Sequence, residues 1–189
     1  MSKNINLTKK FSSVLKVTNE ELTKRFNRVW GKSWVEEGYE LEFSNGEGVL
    51  QYLFTNELGV DAGSLELKLN PNEIMDEFNF LNFVPKGSKL MEVDKLSILK
   101  EERGEGILDE ILTTIVIAAE EHQVDYCIAL IEPVFYRALR AFYKLPVQKA
   151  GKMFFYKGDD VVPMIIDAKK MIVIKEQFEW FKGQDLFVA

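Results

Sequence analysis

Residues 102–112 read Glu-Arg-Gly-Glu-Gly-Ile-Leu-Asp-Glu-Ile-Leu (ERGEGILDEIL). Two glycines, one residue apart, stand directly before a strongly apolar helical pattern. Glycine gives up backbone entropy, so the site must need either positive φ or a close approach to the main chain. Two readings compete: an ordinary tight turn, or a cradle of N–H groups that holds an anion at a helix start. On the amino side, Lys89 to Leu99 (KLMEVDKLSIL) has the composition of a long strand. On the carboxyl side, Leu108, Ile111, Leu112, Ile115 and Val116 share one helix face running from Ile107 to about Glu121.

Outward from this strand–turn–helix unit, the pattern continues in both directions. Val124 to Ile131 is almost wholly apolar, as a strand covered on both faces should be. Val134, Phe135, Ala138, Leu139 and Phe142 mark another helix, with Pro146 just beyond its end. Lys152 to Tyr156 and Val161 to Asp167 suggest a hairpin around Lys157-Gly158-Asp159-Asp160. Met171, Ile174, Phe178 and Phe181 stripe a final helix over about 168–182. Upstream, Phe11 to Val17 reads as a short strand, and Thr18 or Asn19 caps an acidic first turn before Leu22, Phe26, Val29 and Trp30. Val49 to Thr55 and Ser64 to Leu69 form a predicted antiparallel hairpin. The second strand sets Leu65, Leu67 and Leu69 against Ser64, Glu66 and Lys68. Asn70-Pro71-Asn72 ends it, and the stretch through Gly87 reads as irregular or weakly helical. The order is βα(α)ββ, then βαβα, then ββα, within one α/β domain spanning 1–189.

Composition narrows the function classes. A chain of 189 residues, 47% hydrophobic, suits a single domain that buries roughly 70% of the surface its unfolded form exposes. Thirty acidic against twenty-four basic residues leave a net charge of −6. No run of Lys and Arg tracks a nucleic-acid backbone, so nucleic acid is not an expected partner. One cysteine, Cys127, and one histidine, His122, exclude an internal disulfide and a His/Cys metal cluster, and both read as structural. No charged-then-apolar leader and no long uncharged apolar run occurs, so a soluble cytoplasmic protein without a membrane partner is expected.

Three phosphate-binding patterns are candidates for the glycines. A P-loop needs G-x-x-x-x-G-K-[ST], and the Gly31-Lys32-Ser33 tripeptide would place its first glycine on Phe26. A dinucleotide fingerprint needs a third glycine where Asp109 stands. The third fits better: Arg103-Gly104-Glu105-Gly106-Ile107-Leu108 resembles the R-x-x-G-x-[GA] segment of the GNAT acyltransferase superfamily, which cradles the pyrophosphate of coenzyme A. Leu108 departs from the small residue there. Ala138 to Val147 looks like that superfamily's A-x-x-L-Y-x-x-x-G-F segment, with Phe142 for Tyr, Pro146 for Gly and Val147 for Phe. Arg25 to Tyr39, Glu92-Val93-Asp94-Lys95-Leu96 and the ending Phe155 to Asp167 are similar to the acyl-homoserine-lactone synthases and N-acyl amino acid synthases. The resemblance spans about residues 11–168.

That resemblance implies a GNAT fold, with a mixed, mostly antiparallel sheet flanked by helices. It implies an N-acyltransferase that takes an acetyl or longer acyl group from coenzyme A, or from an acyl carrier protein, to a small-molecule amine. Leu96, Ile98, Leu99, Arg103, Gly104, Glu105, Gly106, Ile107, Leu108 and Phe142 would hold acetyl-CoA or acyl-CoA. Glu92 would be the general base, its pKa raised inside an apolar strand. Lys95, where the relatives carry Arg, would orient an acidic group of the acceptor or pair with Glu92. Trp30 and Trp34 would line the acyl pocket or pack in the core. The leaving-group acid of the superfamily falls on Phe142; its neighbour Tyr143, about 100° round a helix, is the catalytic candidate that remains for that role. Glu101, Glu102, Glu105, Asp109 and Glu110 crowd the proposed pyrophosphate site, within a screening length of roughly 8 Å. With Phe142 and Leu108, they favour the alternative of a catalytically silent module on the same fold. An exposed terminal stripe would mark a homodimer.

Overall fold

The computed structural model describes residues 13–44, 46–104 and 106–183. In chain order the elements are β1 (Ser13–Lys16), α1 (Glu20–Glu37), β2 (Val49–Thr55), β3 (Asp61–Lys68), α2 (Asn72–Glu77), β4 (Leu90–Ile98), α3 (Ile107–Glu121), β5 (Tyr126–Ile131), α4 (Pro133–Ala141), β6 (Val147–Lys149), β7 (Phe154–Tyr156), β8 (Asp159–Asp167) and α5 (Ala168–Val173). The strands form an open sheet in the order β1-β2-β3-β4-β5-β8-β6, with β7 on β8. Every pairing among the described strands is antiparallel except β4 with β5. The expected first strand is β1; positions 11 and 12 lie outside the described residues.

Local chemistry sets the helix ends. Asn19 Oδ1 accepts from the Leu22 N–H at 2.9 Å, and Gly38 closes α1 in the left-handed region. Two layers then cover the sheet. α3 and α5 pack on the face that carries Leu65, Leu67, Met91, Cys127 and Ile166. α1 covers the other face of β2–β4, with Val29, Leu53 and Leu99 between them. Next to it, Ile74 of α2 and Phe80 cover Leu90, Ile128 and Ile165. The Lys157-Gly158 turn joins β7 to β8 with both residues at positive φ, 47° and 106°, as a two-residue hairpin of matching twist requires.

Two features of the sheet position everything that follows. First, β3 and β4 lose register between Ser64 and Glu66: Ser64 faces Ser97, but Glu66 faces Asp94. Lys95 takes φ +44° there, and the extra residue is a β-bulge. Second, β4 and β5 pair only through Leu90–Tyr126, Met91–Cys127 and Glu92–Ile128. Beyond Glu92 the two strands part, and the gap opens a cleft.

The terminal helix is shorter than the apolar stripe suggests. α5 ends at Val173, a 3-10 turn covers Lys175–Gln177, and a further turn at Glu179–Trp180 is closed by the Phe181 N–H donating to the Phe178 carbonyl at 3.1 Å. Phe178 and Trp180 lie two residues apart, and the turn, not a helix, brings them to one side. Their rings stack at 4.7 Å, both buried against the α3 layer. Trp180 Nε1 donates to the Tyr143 carbonyl at 3.0 Å. Met171 is buried as well, and Ile174 and Phe181 are half-buried, so most of this stripe is covered within the chain. Trp180→Ala should lower the unfolding free energy by about 3 kcal/mol, the usual cost of emptying a buried aromatic site, read as a fall in denaturant midpoint at constant slope.

Candidate active site

Where β4 leaves β5, a cleft of about 930 Å³ passes through the sheet. That is within the size range of small-molecule sites, roughly 300–1,000 Å³. Its apolar end lies among Leu112 and Ile115 of α3, Ala129 and Ile131 of β5, Leu139 of α4 and Met164 of β8. Its polar end, on the opposite sheet face, is lined by Lys68, Glu73, Glu92, Asp94, Lys95 and Tyr156. The glycine turn, with Arg103, Gly104, Gly106, Ile107 and Leu108, forms one rim.

The alternation of β3 predicts a polar face, and that face is buried. Glu66 has 0% exposure and Lys95 4%. Lys95 Nζ donates to Glu66 Oε1 at 2.5 Å and to Ser44 Oγ at 2.6 Å, lies 3.6 Å from Asp94 Oδ2, and sits 5.4 Å above the Trp30 ring. Glu66 also accepts from Gln51 Nε2 at 2.7 Å. Lys68 Nζ lies 2.9 Å from Asp94 Oδ2, 3.4 Å from Glu73 Oε2 and 3.5 Å from Glu92 Oε1. The bulge makes this lattice: Asp94 and Lys95, neighbours in sequence, reach the same face. In a regular strand they would point apart.

Glu92 is 6% exposed, and its Oε2 atom has no hydrogen-bond partner among the described residues. Burial and the adjacent Asp94 push its carboxyl up to about 7 against the opposing pull of Lys68. Burial alone would raise Asp94 too, but Lys68 and Lys95 outweigh it and hold Asp94 low. Charge balance explains the difference. Glu66 and Asp94 match Lys68 and Lys95, so a third proton-free carboxylate, at Glu92, would be in excess.

The acidic crowding at the glycine turn is largely engaged by neighbours. Lys32 Nζ donates to Glu101 Oε1 at 2.6 Å, and Asn56 Nδ2 to Glu102 Oε2 at 2.8 Å. Burial raises Asp109, which has Lys182 at 3.9 Å, and pushes Glu110 up to about 7. Gly104 and Gly106 have φ +97° and +80°, and a Cβ at either would meet nothing within 4 Å. The glycines serve the backbone conformation, and the space before them is open. α3 starts at Gly106 with no side-chain cap. An anion fits such a start. Arg103 Nη2 stands 3.6 Å from Glu37. Glu105 lies outside the described residues.

Of the residues read from the sequence, Glu92, Trp34, Leu96, Ile98, Arg103, Gly104, Gly106, Ile107, Leu108, Tyr143 and Lys95 line the cleft. Four residues are placed as follows. Leu99 turns away and packs with Val29 and Leu53 under α1. Trp30 is fully buried beneath Lys95, with Trp34 and Phe43 edge-on to it, and belongs to the core rather than the cleft wall. The Lys95 ammonium is held by Glu66, Ser44 and Asp94, so it is neither the partner of Glu92 nor a free ligand for an acceptor acid. Phe142 is 80% exposed, while Tyr143 continues the Tyr136–Leu139 face of α4 at helical spacing into the cleft. Its hydroxyl is held protonated by burial and by Asp109.

Sequence reading missed Glu66, Lys68, Asp94 and Tyr156, and it weighed Tyr39 only as pocket lining or packing, not for its hydroxyl. Tyr39 Oη donates to Glu132 at 2.7 Å and to Asp159 at 3.2 Å. Charged residues alternating with leucines in a strand hinted at Glu66 and Lys68; the other three depend on loops and on the bulge. Cys127 is buried and its thiol is pushed up to about 12. Among the described residues no His, Cys, Asp and Glu group could hold a metal, and no helix is long and apolar enough to cross a membrane.

No family model and no curated protein matches the sequence. Solved structures do match the fold. FeeM, an N-acyl amino acid synthase from uncultured soil microbes, superposes with a TM-score of 0.71 at 15% identity, over 90% of this chain and 93% of that one. The CoA-dependent acyl-homoserine lactone synthase MesI gives 0.63 at 16% identity, over 87% and 93%. A second such synthase, BjaI, solved with SAM and isopentyl-CoA, gives 0.64 at 12% identity, over 88% and 89%. The chain therefore has the GNAT-like acyltransferase fold, in the form shared by acyl-homoserine lactone synthases and N-acyl amino acid synthases.

The buried lattice makes its own stability prediction. Lys95→Met strands the Glu66 charge and should cost about 3–5 kcal/mol. Adding Glu66→Gln should restore part of that loss in the same denaturation measurement.

Proposed function

We propose that the protein is an N-acyltransferase that moves an acyl group from a coenzyme A thioester to the amine of a small molecule. The observation that carries this reading is Glu92: a buried carboxyl at the parting of β4 and β5, one oxygen unpartnered, with a pKa near 7. A base poised at the working pH suits removal of a proton from an attacking amine. The open left-handed turn at Gly104 and Gly106 and the uncapped start of α3 suit the donor's pyrophosphate. The apolar end between α3, β5 and β8 suits an acyl chain longer than acetyl.

The residues divide the chemistry. The amine attacks the thioester carbon as its free base; the C–N bond forms, the C–S bond breaks and the amine proton passes to Glu92. Beyond Glu92 the β4 edge has no strand beside it on the β5 side, so its backbone faces the developing oxyanion. Tyr143, kept protonated by burial, supplies the proton that the departing thiolate needs. Phe142, Leu108 and the acidic turn argue for a silent module. Tyr143 in the cleft and Lys32 on Glu101 weigh on the side of an enzyme.

Glu92→Gln should lower kcat by about 10²-fold or more with little change in donor affinity. In the wild-type protein, activity should rise with pH through about 7, because the carboxylate is the active form. The stability effect has the opposite sense. A folded-state carboxyl raised from 4.5 to about 7 supports folding below 4.5 and loses that support as pH rises to 7. Glu92→Gln should remove this part of the decline and leave that of Glu110. Equal turnover in the variant would assign Glu92 to structure.

Donor binding has a separate test. An acyl-CoA series should raise the melting temperature by mass action, while ATP and NAD should not. Gly106→Val forces a side chain into φ +80°, at roughly 1–2 kcal/mol, and should abolish the donor-induced shift while the protein still folds.

A further inference from the structure

The polar end of the cleft is strongly acidic, and its cations are occupied. α2 presents Glu73 and Glu77 one helical turn apart over this end; both are exposed, and both line the cleft. Below them stand Glu92 and Asp94, and between them Tyr156, whose hydroxyl is pushed up to about 12 by burial, Glu77, Asp94 and Glu92. The facing side adds Glu40, Glu42, Glu132 and Asp159. Lys68 is shared among Glu66, Glu73, Glu92 and Asp94. Lys95 is held by Glu66, and Lys157 pairs with Glu42. The remaining cation of the cleft, Arg103, belongs to the glycine-turn rim.

An acceptor with a carboxylate beside its amine would find no uncommitted cation here among the described residues, and would meet an excess of like charge. An acceptor with a second ammonium meets the reverse. The acids are not merely a solvated surface cluster, because they line the same cleft as the unpartnered Oε2 of Glu92, a side chain more than nine-tenths buried. We infer that the acceptor is an aliphatic di- or polyamine: one nitrogen is presented to Glu92 while a second, still protonated, is held by Glu73 and Glu77 on α2. This rests on the transferase reading above and names its substrate class. Transfer to one nitrogen forms the amide, releases the thiol and leaves the second nitrogen charged.

The test is steady-state release of free thiol from an acyl-CoA that gives a thermal shift, with putrescine, spermidine, butylamine and leucine as acceptors. The diamine and the triamine should exceed butylamine and leucine by at least tenfold in kcat/KM. That preference should shrink in 0.5 M salt, where screening shortens to a few ångströms, about 3–4 Å. Glu73→Gln with Glu77→Gln should raise KM for putrescine several-fold more than KM for butylamine, with kcat changing less. Equal or better turnover of leucine or butylamine would overturn the polyamine assignment and leave the transferase standing. An equal KM change for both amines in the double variant would remove α2 from acceptor recognition and overturn the assignment equally. No donor shift and no transfer to any amine would sink the transferase reading, and this inference with it.

Discussion

The site depends on one residue held in an unusual backbone conformation, Lys95 at φ +44°. An L-residue in the left-handed region is strained, and here the surroundings fix it: the ammonium is gripped by Glu66, Ser44 and Asp94 above the Trp30 ring. The bulge this creates has two effects. It turns Asp94 and Lys95 to one face, where with Glu66 and Lys68 they make a balanced lattice of buried charge. It also brings Ser97 opposite Ser64, whose hydroxyls lie 2.7 Å apart, and so restores the ladder beyond the irregularity. Glu92 then sits beside a lattice already neutral, which is why its own charge is disfavoured.

Much of the fold was legible because periodicity reports burial. β2 and α3 run over the spans that their apolar spacing predicts, and the glycine turn lies where two glycines bracket one residue. β6 was not legible. It has three residues, and its strand character comes from pairing with β8 rather than from composition. The last helix is over-read for the converse reason: a stripe of large apolar residues fits a helix on paper, but Phe178 and Trp180 bury their rings from a turn beyond its end.

The site divides along the same line. Gly104, Gly106 and Glu92 could be found because their residue types are costly without a reason: positive φ in one case, a carboxylate in an apolar strand in the other. Trp30 and Leu99 could not be assigned, since core and cleft wall call for the same apolar chemistry. Tyr143 lines the cleft and Phe142 faces solvent because Tyr136 and Leu139, rather than Ala138, set the buried face of α4. Lys95 was misread because alternation fails at a bulge, and nothing in a sequence marks where one strand gains a residue over its neighbour.

The cleft pierces the sheet instead of lying upon it. On the proposed reading, the sheet becomes a partition with one aperture, bounded by the β4 edge and the end of β5. An acyl chain is drawn in from the α3 side, whose walls are apolar, and an amine arrives from the α2 side, whose walls are charged. The two meet only in the aperture, beside Glu92. Cys127 is buried in the core, outside the cleft lining, so no thiol among the described residues meets either guest. An occupied aperture acts as its own stopper, shielding the thioester from hydrolysis for as long as both guests are seated.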